Sequence, residues 1–119
     1  MNRFFFVLLT ILLMTVLMVS GCRNELGNPR PEDFLHNERA DIFQLDGIVY
    51  SHVRGEQELN YTLGEQVGEI VRQTDKAWRF KDGSANKLPV GAKIYETDTE
   101  ITIVIVDGKE IPYIKMLEG

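Results

Sequence analysis

Hydrophobic and polar positions divide the chain into three textures. Residues 4–19 ("FFFVLLTILLMTVLMV") are apolar except for Thr10 and Thr15. Residues 23–40 ("RNELGNPRPEDFLHNERA") mix both charge signs with Gly27, Pro29 and Pro31, and large apolar side chains become sparse. From Asp41 onward, short apolar runs alternate with turn residues, the pattern of a small β domain. Strands are predicted at 42–45, 48–53, 66–73, 77–80, 92–97, 101–106 and 111–117. "ITIVIV" at 101–106 is apolar on both faces and predicts a central strand. Pro112 lacks a backbone donor, so the last strand is expected to start after it or to run along an edge.

Asp46-Gly47, Asp82-Gly83 and Asp107-Gly108 punctuate this region. Both residues of such a pair tolerate positive φ, and between apolar runs the pair signals a tight hairpin. Residues 63–78 are ambiguous. Leu63, Val67, Ile70, Val71, Thr74 and Trp78 follow a helical period, and Thr62 and Glu65 stand at capping-box spacing. Gly64 and Gly68 would each cost a helix about 1 kcal/mol, and Val67, Ile70 and Val71 are β-branched. Strand is the favoured reading and helix the alternative. The expected fold is therefore mainly β, or α+β if that segment is helical: a small antiparallel, barrel-like domain over 41–119. Closure suits so small a domain because it removes exposed strand edges. The stretch "RPEDFLHNER" at 30–39 is able to form one helical turn, with Pro31 suited to a first helical position and Glu32 and Asp33 to its positive end, but nothing in the fold is built on it. Residues 22–40 otherwise read as a flexible tether with a reach of roughly 25 Å.

The amino-terminal texture has the order of a secretory signal: a thin basic start at Arg3, an apolar stretch, then small residues. Residues 4–19 are marginal against the ~20 apolar residues of a membrane span and slightly long for a cleaved signal, so length does not decide and the residues at the end do. The run ends in "VSGC", which resembles the lipobox of bacterial lipoproteins. That resemblance implies that Val19, Ser20 and Gly21 are read by a signal peptidase, that residues 1–21 are removed, and that Cys22 carries a diacylglyceryl group. Cys22 is the sole cysteine. A thiol is the most nucleophilic side chain available to take up a lipid, and two acyl chains give a stable anchor where one does not. The alternative is an uncleaved single-span anchor in which the cysteine is incidental.

Charge and candidate chemistry narrow the rest. The formal charge is −5, and cleavage would remove Arg3. An acidic chain is a poor partner for nucleic acid or for anionic headgroups. Membrane residence would then come from lipid on Cys22. His36 and His52 are the only histidines, too few for a zinc set with Cys22 committed elsewhere. No phosphate loop, nucleophile elbow, HExxH or EF-hand loop is present. Asp98 with Glu100, and Glu56 with Glu58, have no obvious catalytic partner. No catalytic residue, metal site or cofactor is assigned. Trp78, Phe80 and Tyr95 are the candidates for a binding face, with Trp78 and Phe80 on one side of the predicted strand 77–80. The competing reading places all three in the core.

With the lipobox, the stretches "DIFQLDGIVYSHV", "LGEQVGEI" and "KLPVGAKIYE…IPYIKMLEG" make the chain resemble a family of small lipoproteins of Bacillus-type Gram-positive bacteria. The resemblance covers nearly all of residues 22–119. It implies strand for 66–73 and supplies no activity and no catalytic residues. The expected function is a lipid-anchored binding or interaction module on the outer face of the cytoplasmic membrane, meeting envelope proteins, with its ligand undefined. The alternatives are an envelope enzyme or enzyme inhibitor with a loop-built site, and the single-span protein.

Overall fold

A computed structural model describes residues 27–55 and 58–118. Val19, Ser20, Gly21 and Cys22 lie outside the described residues. The domain is mainly β and barrel-like: among the described residues, eight strands form a single curled sheet. In chain order these are β1 (Ile42–Leu45), β2 (Ile48–His52), β3 (Leu63–Glu69), β4 (Arg72–Gln73), β5 (Ser84–Ala85), β6 (Lys93–Thr97), β7 (Ile101–Val106) and β8 (Lys109–Lys115). Across the sheet they run β3-β6-β7-β8-β2-β1-β5-β4. Every pairing is antiparallel except the two-residue β4–β5 pair, which is parallel.

Two of the three Asp-Gly pairs make two-residue hairpins. Asp46 and Gly47 (φ 51 and 75) join β1 to β2, and Asp107 and Gly108 (φ 50 and 76) join β7 to β8. Paired positive φ values match the right-handed twist of the flanking strands. The third pair serves the first. Asp82 accepts hydrogen bonds from Gly47 N–H at 2.9 Å and Gln44 Nε2 at 3.0 Å, which ties its loop to the β1–β2 turn.

The two edge strands, β3 and β4, are successive pieces of one run, so that run crosses from one edge of the sheet to the other. The predicted strand 66–73 therefore starts earlier and breaks at Ile70-Val71. Ile70 N–H donates to Ala92 O at 2.8 Å, whereas Val71 N–H donates to Gly83 O at 2.8 Å. The backbone changes partner there, and Ile70 drops fully into the core. Gly68 permits the approach, since a Cβ there would stand 2.9 Å from Leu45 Cδ1.

Pro112 also departs from expectation. β8 begins before it and lies between β7 and β2. In a strand, one residue's N and C=O point the same way. The Pro112 carbonyl accepts from Val53 N–H at 3.0 Å, so the missing donor faces the end of β2, beyond its last strand residue. The β7 ladder keeps its bonds.

Inside the curl, Phe43 is fully buried between the tyrosines of the two hairpins. Tyr50 stacks on it with ring centroids 4.6 Å apart, and Tyr113 meets it edge-on at 5.0 Å. Ile70, Ala85, Leu88, Ala92, Ile94 and Val104 complete this cluster. On the outer face of β1 and β2, Ile42, Val49 and Phe80 form a second cluster, with Phe34 and Leu35 packed against it. Those two residues belong to α1 (Pro31–Leu35), the helical turn that Pro31 permits. The Asp33 carboxylate accepts from Arg30 N–H at 2.8 Å and closes its first turn. The stretch expected to be tether is thus partly docked, and packing begins well before residue 41. Two apolar side chains in a five-residue turn suffice, because they cover Ile42 and Val49 from outside.

Candidate functional site

The segment at 77–80 is not a strand. Ala77–Arg79 form a 3-10 turn closed by Phe80 N–H to Ala77 O at 3.2 Å. The cause is amphipathic: Phe80 is buried in the outer cluster while Trp78 stays 80% exposed. Trp78 and Phe80 therefore face opposite ways, and the shared face expected of them is corrected. Tyr95 stands elsewhere, half-buried on β6 opposite Ile103. The three candidates do not form one binding face. Phe80 is structural, and Trp78 is the free one, with the Arg79 guanidinium 5.6 Å from its ring centroid.

A groove of ≈ 520 Å³ opens at the end of the curled sheet that carries the Asp46-Gly47 turn and the 98–100 turn. Val67, Ile101, Ile114 and Leu117 supply apolar wall, while Asp46, Glu96, Glu100 and Lys115 supply charge. Val67, Ile114 and Leu117 are among the exposed large apolar residues of the domain, at 43%, 37% and 55%. Tyr50 reaches this groove from the core. It is only 6% exposed, and burial, followed by the nearby Asp46 carboxylate, raises its pKa above the ordinary value. Among the described residues its hydroxyl makes no hydrogen bond to protein, and because no buried side-chain polar atom there lacks a partner, that oxygen stands open to solvent in the groove. Such an arrangement suits a ligand with an apolar body and a group able to pair with a phenol or a carboxylate.

The opposite end is closed. Tyr113 is fully buried, and its hydroxyl donates to Asp41 Oδ1 at 2.8 Å. His52 tilts against its ring at 5.5 Å. Burial, then the bond to Asp41 and its charge, push the Tyr113 pKa far above the ordinary range. Nearby, His36 and His52 line one shallow groove with Arg39 and Arg54. Asp33 and Asp41 line it too, so the groove is of mixed charge. Among the described residues, no group of three or more His, Cys, Asp or Glu stands close enough to hold a metal ion.

Sequence reasoning passes over Tyr50, Glu96, Lys115 and Leu117. Strand alternation holds a signal. Lys115 lies two residues beyond the buried Tyr113, and Glu96 two beyond the buried Ile94. Both are charges on the inward face, which marks an opening rather than a filled core. Among the described residues, no helix is long and apolar enough to cross a membrane. Neither a protein-family model, nor a curated protein, nor a solved structure matches this chain.

Proposed function

We propose that this chain is a lipoprotein, held by a diacylglyceryl group on Cys22 at the outer face of the cytoplasmic membrane, whose β domain is a binding module for envelope partners. Membership of the Bacillus-type family of small lipoproteins is part of this reading. The observation that carries it is "VSGC" placed directly behind the apolar run of residues 4–19. Cleavage after Gly21 makes Cys22 the new amino terminus, and two acyl chains hold it there. The groove beside Tyr50 supports binding, because apolar side chains stay exposed along its wall.

Radiolabelled palmitate tests the anchor. Wild type takes up label and Cys22→Ala does not, and the mature amino terminus found by mass spectrometry is Cys22. Undiminished label on Cys22→Ala, or an intact residue 1 on the wild-type protein, sinks the reading.

A further inference from the structure

Trp78 is the sole tryptophan of the chain, and it stands on a braced support. Phe80 anchors the turn in the outer cluster beside Ile42 and Val49. Lys81 N–H donates to Ser84 Oγ at 3.0 Å. Asp82 is bonded to the β1–β2 turn through Gly47 and Gln44. A large indole held this firmly in water, outside the core, is an unused apolar surface.

The turn itself carries three cations. Lys76, Arg79 and Lys81 fall within one short stretch, and all three are exposed. Arg79 lies over the indole. Of the neighbouring carboxylates, Asp75 is 3.9 Å from Lys76 Nζ, Asp82 is turned toward the hairpin, and Glu32 and Asp46 line the groove on the Ala77 and Phe80 side. The overall negative charge does not decide what this turn meets, because charges beyond about 10 Å are largely screened at physiological salt.

The turn also stands near the point where the chain leaves the domain. The helix α1 packs against it, and Asn28, Pro29, Arg30 and Ala77 line one groove of ≈ 530 Å³. From Cys22 to Gly27 the chain spans at most about 18 Å when fully extended. Lipid on Cys22 would hold this side of the domain at the bilayer.

We propose that the Trp78 turn is a membrane contact, with the indole seated at the headgroup level and Lys76, Arg79 and Lys81 pairing with the phosphates of anionic lipids. Tryptophan favours that interface because its ring is apolar and its N–H is polar. Cations near an anionic surface are drawn to it. The proposal rests on the Cys22 anchor for its distance argument, and the chemistry of the contact rests on the turn itself.

The test uses the full chain reconstituted into vesicles of phosphatidylcholine alone or with phosphatidylglycerol. Trp78 is its own probe. With phosphatidylglycerol, its emission moves to the blue, brominated acyl chains quench it, and acrylamide quenching falls several-fold. Replacing Lys76, Arg79 and Lys81 together by Gln returns these signals to the level of phosphatidylcholine alone. Equal access of acrylamide to Trp78 in both vesicles overturns the contact. Palmitate uptake is read in cells making the same chain. Label with a fully water-exposed Trp78 overturns the contact and leaves the anchor standing. A protected Trp78 without label overturns the anchor and leaves the contact standing.

Discussion

The two hairpin tyrosines press on the same phenylalanine and end in opposite circumstances. Tyr113 is sealed, with its hydroxyl bonded to Asp41. Tyr50 is almost as deeply placed, yet its hydroxyl opens into the groove without a protein partner among the described residues. A buried phenol ordinarily finds a partner, as Tyr113 does, and every buried side-chain polar atom among the described residues has one, so the Tyr50 oxygen is left to water. The closed end therefore serves stability, and the open end keeps a polar atom ready for something else.

The largest expected effect comes from removing what the two ends share. Phe43→Ala deletes a fully buried ring that touches both tyrosines. Cavity formation there should cost about 3–5 kcal/mol, measured by urea unfolding. A loss confined to one end, seen as hydrogen exchange rising around only one tyrosine, would break the idea that Phe43 joins them.

Tyr113→Phe separates the ends. It removes one hydrogen bond from a fully buried site and should cost about 1 kcal/mol near neutral pH. Alkaline pH sharpens the contrast. Both tyrosines have folded pKa values raised above the ordinary 10.0. The folded protein keeps their protons where the unfolded chain releases them. Stability is therefore full below pH 10 and falls as pH rises beyond it, by up to ~1.4 kcal/mol per unit for each tyrosine. Unfolding curves of Tyr113→Phe should show a shallower alkaline decline than wild type. An identical slope would place the effect elsewhere.

How much of this is legible in the sequence depends on which forces act locally. Strands 42–45 and 101–106 arise from short apolar runs, and the two hairpins arise from Asp-Gly chemistry, which needs no distant partner. The break at Ile70-Val71 is hidden, because it comes from Gly83 and Ala92 claiming adjacent residues of one run. Pro112 misleads for a similar reason. Its missing donor matters only if a strand lies opposite, and β2 ends just before that point. The turn at 77–80 resembles a strand because alternation of Trp78 and Phe80 looks the same in both forms. Of the candidate site, Trp78 alone emerges as an exposed feature, since Phe80 is held by Ile42 and Val49, residues far from it in the chain. The groove requires knowing that Leu117, Val67 and Tyr50 converge from three strands or their ends.

The smallest expected effect is the most informative about function. If Tyr50 donates to no protein group, Tyr50→Phe should change stability near neutral pH by no more than about 0.5 kcal/mol, within the range of changes that disturb no buried partner. Phe43 would keep its stacked neighbour, because the ring is retained. The same substitution should still weaken any ligand that bonds the phenol in the groove, since that ligand loses an acceptor or donor it displaced water to reach. A loss as large as that of Tyr113→Phe would mean that the hydroxyl is already used within the fold. The two ends would then be alike, and the groove would have no polar group of its own in the core.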